Sequence, residues 1–384
     1  MVVVAGSVVA VLSVAGSAWV MPLLQRPTLP FGVRVPTRHA GDATIARQVG
    51  AFRTRIVASG LIALVVAVIL GLAGGDRDSA VTGLVPTVVL LALVTFFYLR
   101  ARREITRAKA AGAWYRDVPQ RVAADTSLRT EPERLPWAWA VPALLLPLVT
   151  LGAGIALYPD MPARVPSRTH GSEVVAWQTK SPWVVATPLL IEVVVTLLIV
   201  GLLAWSYRSR ADLEPSDPQR SAAQHRIFLR RVGRALLVLA AAVNVNFLLA
   251  FTAIWRGDVP GPWTTTGMLL VPLLAVAYVL VVAVRTGQGG SRVDTATQPA
   301  RAGSAARPET PGAARPVRVA EHTDDDRHWR AGILYVNRDD PALMVQKRVG
   351  FGWTVNFGNP WGIVIMAGVL VLVAAAALIP ALQS

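Results

Sequence analysis

The stretch WVVATPLLIEVVVTLLIVGLLAW, residues 183–205, decides the fold of this chain. Glu192 is its single charged residue, and the stretch exceeds the roughly 20 apolar residues that a helix needs to cross the hydrocarbon of a bilayer. The whole chain is 53% hydrophobic with a mean hydropathy of +0.48, which soluble proteins rarely reach. We therefore predict an all-α polytopic membrane protein with about eight spans, at 2–24, 56–75, 80–99, 136–158, 183–205, 235–255, 263–284 and 361–382.

The Lys and Arg residues are divided unevenly between the two sides of the predicted membrane. If the loops alternate, 33 of the 38 fall in 25–55, 100–135, 206–234 and 285–360. Positive residues are retained on the cytoplasmic side, so we predict that these loops are inside and that both termini are outside. The net charge of +15 then reflects orientation and contact with anionic lipid, and nucleic acid is not an expected partner.

Composition divides the chain into four parts. Residues 1–135 and 136–284 are expected to form two membrane regions. Residues 285–323, rich in Gly, Ala, Pro and Arg, are expected to be a flexible linker. Residues 324–384 are expected to hold a small β-rich cytoplasmic module, followed by the last span.

The segment before the last span has the pattern of a short sheet. NRDDP at 337–341 predicts a turn between two β-prone runs, and GFGWTVNF at 350–357 predicts a third strand. Since so small a sheet needs a surface to pack on, we expect it to dock near the inner membrane surface, against loops 25–55 or 206–234. The acidic run at 324–326 is interpreted as solvated.

Two aspartates predict helices that begin before the membrane: Asp42 ahead of the second span and Asp217 ahead of the sixth. Loop lengths favour a parallel repeat, in which spans one to four correspond to spans five to eight. The octets RVPTRHAG at 34–41 and RVPSRTHG at 164–171 lie on opposite predicted sides and would instead mark an inverted repeat. The sequence leaves both arrangements open.

Glu192 is the candidate intramembrane polar residue, because an ionisable side chain in hydrocarbon is costly and often functional. Helix rise places Asn244 of the sixth span at a similar depth, and Asn246 points to another side. In one interpretation, a neutral Glu192 holds the fifth and sixth spans together through a hydrogen bond. In the other, Glu192 couples transport to a proton or cation.

No sequence motif for catalysis is recognisable. The chain has no cysteine, its five histidines lack the spacing of ligands on one helix face, and the familiar nucleotide-binding and hydrolase motifs are absent. Aromatic and basic residues alternate near the C-terminal end, which is typical of anchoring at a membrane interface. We therefore expect no enzyme, no metal site and no cofactor.

The predicted outer loop 158–182 carries a recognisable motif, YPDMPARVPSRTHGSEVVAWQTKSP. It resembles the extracytoplasmic signature of a bacterial membrane module of unknown function, which also occurs in the sporulation-delaying-toxin immunity family. The residues that carry the resemblance and form the candidate recognition loop are Arg164, Pro166, Glu173, Trp177 and Lys180. The position after Ser167 holds Arg168 where the family pattern has His.

The segment from Asp325 to Pro360, which we call the tail, resembles a second module of unknown function, found in bacterial and archaeal membrane proteins. Its motif residues here include Trp329, Gly332, Tyr335, Asn337, Trp353, Thr354 and Asn356. Together the two resemblances imply a multi-pass protein of a bacterial inner membrane with a toxin-immunity, sensing or regulatory role. Its expected partners are the lipid bilayer and a peptide or membrane protein. A secondary transporter that uses Glu192 is the alternative.

Overall fold

The structure is a computed structural model that describes residues 2–73, 79–116, 118–121, 127–170, 173–259, 261–295 and 321–382. Its helices are α1 (Val2–Leu24), α2 (Ala43–Ala73), α3 (Ser79–Ala111), α4 (Ser127–Thr130), α5 (Trp137–Leu157), α6 (Pro182–Ser206), α7 (Pro218–Trp255), α8 (Pro262–Thr286) and α9 (Pro360–Leu382). Its strands are β1 (Gln120–Arg121), β2 (Arg164–His170), β3 (Glu173–Thr179), β4 (Glu321–His322), β5 (Trp329–Arg330), β6 (Leu334–Tyr335), β7 (Met344–Gln346) and β8 (Trp353–Val355).

Within the described residues, seven helices are long and apolar enough to cross a membrane: α1, α2, α3, α5, α6, α7 and α8. The eighth predicted span corresponds to α9, whose apolar stretch within the described part is Pro360–Val371. Large apolar side chains stand exposed along the middle of the helices, among them Ile62, Leu148 and Leu274, each more than 60% exposed. The prediction of an all-α polytopic membrane protein with a small β module is thus confirmed.

Two helices begin well before the apolar stretches, as their caps predict. The Asp42 carboxylate accepts the Thr44 backbone N–H at 2.7 Å, and α2 begins at the next residue, Ala43. The Asp217 carboxylate accepts the Arg220 N–H at 3.0 Å, so it satisfies an orphan donor at the start of α7. The resulting α7 is 38 residues long, which corresponds to about 57 Å.

The helices pack in two groups. Helices α1, α2 and α3 contact one another around a core that includes Phe31, Phe52 and Ile56, while α7 contacts α5, α6 and α8. The two groups meet where α1 contacts α8. Because successive membrane-spanning helices alternate in direction, the described parts of the loops 25–42, 112–136, 207–217 and 287–359 gather at one end of the bundle, which we call the basic end.

The strands form four two-stranded ladders. Strands β2 and β3 make an antiparallel hairpin at the end of the bundle opposite the basic end, and β1 pairs with β4 in parallel. In the tail, β5 pairs with β6 and β7 pairs with β8, and a single bridge between Tyr335 and Asn356 joins these ladders. The predicted third strand at 350–357 is present as β8, but the tail is two bridged ladders instead of one three-stranded sheet.

The segment predicted as a flexible linker, 285–323, starts with packed residues. Gln288–Gly290 forms a buried helical turn directly after α8. At the other end of the segment, Glu321 accepts hydrogen bonds from the backbone N–H and the hydroxyl of Thr37, at 3.1 and 3.0 Å. Residues 296–320 lie outside the described part, so for them the flexible linker stays a prediction.

Two turns with left-handed glycines meet at the basic end. Gly32 has a φ of 71° and Gly332 a φ of 74°. A Cβ atom added to Gly32 would lie 2.8 Å from the carbonyl oxygen of Gly332. The Tyr98 hydroxyl of α3 lies 3.0 Å from the Phe31 carbonyl oxygen and 2.8 Å from that of Ala331. The loop after α1 and the tail are therefore fastened to each other and to α3.

Replacing Gly32 with alanine is expected to lower the free energy of unfolding by about 2–4 kcal/mol, because the left-handed φ costs an L side chain energy and the methyl group presses on a backbone oxygen. Gly350 is the matched control: its φ is 76°, but nothing lies within 4 Å of an added Cβ. Gly350→Ala is therefore expected to lower the free energy of unfolding only by the cost of the left-handed φ. Thermal denaturation in detergent compares the two variants, and equal losses would contradict a tight contact between the turns.

Candidate functional site

An ionic cluster joins three segments at the basic end. We define it by Arg34, Asp212, Asp325, Asp326 and Arg348. Arg34 donates from Nε to Asp325 Oδ1 at 2.8 Å and from Nη2 to Asp212 Oδ2 at 3.0 Å. Arg348, only 2% exposed, pairs with both Asp325 and Asp326. The cluster therefore ties the loop after α1 and the loop after α6 to the tail.

Arg26 extends these contacts to the end of α8. Its guanidinium donates to the Asp212 carbonyl oxygen at 2.6 Å, to Gln346 Oε1 at 3.0 Å and to the Gln288 carbonyl oxygen at 3.3 Å. The Gln288 side chain in turn donates to the Gly352 carbonyl oxygen at 2.8 Å and accepts the Gly352 N–H at 3.0 Å. The residues after α8 are thereby attached to the β7–β8 ladder.

Charge pairing decides the ionisation of the cluster. Burial alone would raise the pKa of Asp212, but the guanidinium of Arg34, followed by His322 and Arg26, holds that pKa well below its usual range. Burial likewise opposes ionisation of Asp325, and Arg34 again lowers the pKa of that carboxyl. The Arg34 pKa is raised, because Asp212 and Asp325 outweigh its burial. These groups are therefore charged across the physiological pH range.

The lowered pKa values predict acid sensitivity. Asp212, Asp325 and Asp326 bind protons more readily in the unfolded chain, where an aspartate has a pKa of about 3.9, than in the folded protein. Their contribution to the free energy of unfolding is therefore complete above about pH 5 and is lost as the pH falls further. Thermal midpoints measured in detergent between pH 7 and pH 3 are expected to drop mainly below about pH 4. A midpoint that stays constant down to pH 3 would contradict this linkage.

The interpretation of Asp324, Asp325 and Asp326 as a solvated run is wrong. Lys109 Nζ lies 2.8 Å from Asp324 Oδ1 and 2.7 Å from Asp326 Oδ2. Helix α3 continues past the predicted end of its span to Ala111, and this extension carries Lys109 to the acidic run. The carboxylates are therefore partners of buried cations.

Three motif residues of the tail, Tyr335, Asn337 and Asn356, form a polar core. The Asn356 side chain is fully buried. Its Oδ1 accepts the N–H groups of Asn337 and Gly358 at 3.1 and 2.9 Å, and its Nδ2 lies 2.9 Å from the Asn337 carbonyl oxygen. The Tyr335 hydroxyl donates to Asp340 Oδ2 at 2.8 Å and accepts from Asn337 Nδ2 at 3.2 Å. Tyr335, Asn337 and Asn356 thus organise the tail from within.

The remaining motif residues contact α3, α7 or other strands of the tail. The Arg348 guanidinium lies 4.8 Å above the Trp329 ring. The Gly332 turn packs on α3, where an added Cβ would lie 2.9 Å from the Tyr98 hydroxyl. Trp353 lies 5.6 Å from the ring of Phe228 in α7, and Thr354 pairs with Val345 in the β7–β8 ladder. The expected docking of the tail on loops 25–55 and 206–234 is confirmed by these and the ionic contacts.

The β2–β3 hairpin presents part of the second predicted site to its surroundings. Trp177 is 51% exposed and pairs across the strands with Pro166, which is buried. Arg164 is exposed at the start of β2. Val175, two residues before Trp177 on the same strand face, is 56% exposed. This face of the hairpin therefore combines an aromatic, an aliphatic and a cationic side chain.

Two further residues of this predicted site, Glu173 and Lys180, lie at the start of β3 and directly after its end. Lys180 closes the base of the hairpin, because its Nζ lies 3.0 Å from the carbonyl oxygens of both Pro159 and Met161 and 5.0 Å from the Tyr158 ring. The Lys180 side chain thus stabilises the turn that leads into the hairpin. Glu173 begins β3, and its side chain lies outside what the structure describes.

Glu192 is fully buried and bonds to a residue that the sequence did not single out. Its Oε1 accepts the Thr150 hydroxyl of α5 at 3.2 Å. Asn244 of α7 reaches Thr196, one turn further along α6, at 2.9 Å, and donates to the Ala143 carbonyl oxygen at 2.7 Å. The expected hydrogen bond between Glu192 and an asparagine of the sixth span is therefore wrong, since Glu192 joins α6 to α5.

Helices α6 and α7 each carry one buried polar atom without a partner among the described residues. Among the described residues, neither Glu192 Oε2 nor Asn246 Oδ1 has a hydrogen-bond partner. Unsatisfied buried polar groups are uncommon, so each is a position where a proton, a water molecule or a ligand would be stabilised. No hydrogen bond joins Asn246 to Glu192 in the part of the chain that the structure describes.

Helix α7 runs from one candidate site to the other. Near its end, Trp255 is fully buried, donates to the Val184 carbonyl oxygen at 3.1 Å and packs against Val165 of the hairpin. Near its start, Phe228 contacts Trp353 of the tail. Since the helix is continuous from Pro218 to Trp255, a single rigid element touches both the hairpin and the tail.

Comparison with known proteins adds one finding. Residues 338–363 match a family of unknown function (DUF5808). The matched segment includes Asp340 and Asn356 of the polar core, Arg348 of the ionic cluster and the start of α9. No curated protein matches the chain, and no solved structure matches it. The segment that the family shares is thus the one that forms the tail and fastens it to the bundle.

The residues that sequence reasoning missed are those of the ionic cluster and its neighbours. The one signal available was the opposite charge of the Arg-rich inner loops and the acidic run at 324–326. Among the described residues, no group of three or more His, Asp or Glu side chains is arranged to hold a metal ion. The chemistry of the basic end is therefore ion pairing between loops, with arginines as the most buried partners.

Proposed function

We propose that the protein is a non-enzymatic sensing or toxin-immunity protein of a bacterial inner membrane. In this proposal the β2–β3 hairpin lies outside the cell, where it meets a peptide or an envelope component. The basic end lies in the cytoplasm, in agreement with the retention of Lys and Arg on that side. The observation that carries the proposal is the contact of α7 with both the hairpin and the tail.

The exposed hairpin face supports recognition of a peptide. An extended peptide binds readily to the edge of a two-stranded ladder, because the strand edges offer unpaired backbone N–H and C=O groups. Trp177 and Arg164 supply the side-chain types that are enriched at binding hot spots. The resemblance of this loop to the sporulation-delaying-toxin immunity family points to the same class of partner.

Coupling to the tail follows from the packing of α7. A partner that shifts the hairpin against Trp255 changes the position of α7, and Phe228 transmits that shift to Trp353. The two-state element in this proposal is the docked or released tail, which the ionic cluster holds in place. Release would uncover the arginines of the cluster to cytoplasmic partners.

The experiment measures survival of cells exposed to a secreted, membrane-active peptide toxin of the sporulation-delaying class. Cells that express the wild-type chain are expected to survive, and Trp177→Ala is expected to abolish that protection. Trp183→Ala is the matched control, since Trp183 is 69% exposed but lies on α6 beyond the hairpin. Absence of protection by the wild type, or equal protection by the two variants, would contradict immunity through the hairpin.

A secondary transporter is the second candidate, favoured by the buried Glu192 Oε2 that lacks a partner among the described residues. An ionisable group at this depth is a common device for proton coupling. The test is proton-driven uptake or efflux in membrane vesicles, with Glu192→Gln against Thr196→Val. Transport lost in Glu192→Gln alone would favour the transporter, and the hairpin variants would then leave transport unchanged.

A further inference from the structure

A pocket lies at the basic end where the two helix groups meet. It has a volume of about 180 Å³ and is lined by the end of α1, the loop that follows, the first turns of α2 and the residues after α8. The lining residues are Pro22, Gln25, Arg26, Pro27, Pro30, Ala40, Ile45, Val49, Ser291 and Arg292. It adjoins the ends of two apolar spans, Gly6–Leu24 and Trp263–Gly290, and so lies at the level of lipid headgroups.

The pocket contains a buried donor without a partner. Gln25 is 6% exposed, and its Oε1 accepts the backbone N–H of Phe31 at 2.8 Å. Because that N–H requires an acceptor, the amide orientation is determined and Nε2 remains a donor. Among the described residues, Gln25 Nε2 has no hydrogen-bond partner, and neither does the buried hydroxyl of Ser291. Both atoms are buried beside the pocket and do not face it, so a ligand reaches these donors only after the two side chains turn towards the pocket.

The charge of the pocket is positive. None of its lining residues is acidic, while Arg26 and Arg292 are cationic. The guanidinium of Arg26 is already bonded to Asp212, Gln288 and Gln346. The side chain of Arg292 is exposed, and its Nη1 donates to the Val284 carbonyl oxygen at 3.1 Å. Arg292 is thus the charge that remains available to an anion.

We infer that this pocket binds the phosphate of an anionic phospholipid. Arg292 supplies exposed donors and a positive charge, and the unused donors of Gln25 and Ser291 lie beside the pocket. The prolines together with Ile45 and Val49 supply an apolar wall for the glycerol and the upper acyl chain. Basic pockets between helices at the cytoplasmic face bind such headgroups. The bound lipid bridges the two helix groups, whether the protein senses a peptide or transports a substrate.

The test uses the full chain in detergent and native mass spectrometry with added phosphatidylglycerol, phosphatidylcholine or inorganic phosphate. The wild type is expected to retain phosphatidylglycerol in preference to phosphatidylcholine. Arg292→Gln is expected to reduce that retention about fivefold, the factor typical of one basic residue near anionic lipid. Arg285→Gln is the matched control, because Arg285, the penultimate residue of α8, is exposed and does not line the pocket.

A second variant tests whether the lipid occupies the pocket volume, without changing the charge of Arg292. Ala40→Trp fills the pocket from one wall and is expected to prevent retention while the thermal midpoint stays near that of the wild type. Equal retention of both lipids, or equal losses in Arg292→Gln and Arg285→Gln, would overturn the inference. Displacement of the lipid by millimolar inorganic phosphate would also overturn it, since the pocket would then be a site for the free anion.

Discussion

Replacing Asn356 with alanine is expected to unfold the tail while the membrane helices stay assembled. The side chain is fully buried, and its amide oxygen accepts the N–H groups of Asn337 and Gly358. Its amide nitrogen lies 2.9, 3.0 and 3.1 Å from the carbonyl oxygens of Asn337, Asp340 and Ala342. Each buried group left without a partner costs about 1–3 kcal/mol, so the loss of free energy of unfolding is expected to exceed about 4 kcal/mol.

Hydrogen exchange of the full chain in detergent measures this effect segment by segment. Residues 329–357 are expected to exchange rapidly in Asn356→Ala, whereas α2 and α7 keep their protection. Asn359→Ala is the matched control in the same segment. Its carboxamide caps the start of α9 by accepting the Trp361 N–H at 3.1 Å, and loss of a cap costs only about 1 kcal/mol. Equal exchange in the two variants would contradict the central place of Asn356.

Replacing Arg348 with alanine is expected to lower the free energy of unfolding by about 3–5 kcal/mol, the usual cost of removing one partner of a buried ion pair. Arg348 is 2% exposed, and its loss deprives Asp325 and Asp326 of a shared cation. It also empties the space above the Trp329 ring. The tail is therefore expected to detach from the loop that follows α1.

Thermal denaturation at pH 7 and at pH 3 distinguishes charge from packing. At pH 7 the midpoint of Arg348→Ala is expected to lie well below that of the wild type. Nearer pH 3 the difference is expected to shrink. The lowered pKa values of Asp325 and Asp326 cost the wild type stability as the unfolded chain binds protons, and without Arg348 that lowering is smaller. Arg338→Ala, an exposed arginine in the same module, is the control. A difference that is constant with pH would assign the effect to packing alone.

Composition and local patterns predicted the long helices and strand β8, but not the β2–β3 hairpin or the β1–β4 ladder. Runs of apolar residues located the spans, and Asp42 and Asp217 located the starts of α2 and α7, because a cap acts on N–H groups within the next turn. GFGWTVNF located β8. Each of these signals lies within a few residues of the structure that it determines.

Partners that are distant in the sequence left no such signal. Arg34 and Asp325 are 291 positions apart and Arg34 and Asp212 are 178 apart, and nothing in either local pattern points to the other. Likewise, helix rise gave the depth of Glu192, but its bond to Thr150 depends on which helices are neighbours. Pairing between loops and orientation around a helix axis are properties of the assembled bundle.

The repeated octet shows the same limit. In the first copy Arg34 is 4% exposed within the ionic cluster, and in the second copy Arg164 is exposed at the start of the hairpin. The valine that follows is buried in both copies, Val35 at 1% and Val165 at 0% exposure. The two octets therefore share a buried valine beside an extended proline, while their arginines have different surroundings.

The ionic cluster also imposes an order on biosynthesis. Arg34 leaves the ribosome 291 residues ahead of Asp325, an interval of about 15–60 s at ordinary elongation rates. Asp212, 178 positions after Arg34, is made first and supplies one carboxylate, whereas the Nε of Arg34 has no partner until Asp325 follows. A chain that ends before the tail therefore keeps the Arg34–Asp212 pair but lacks the carboxylate that the Nε of Arg34 requires.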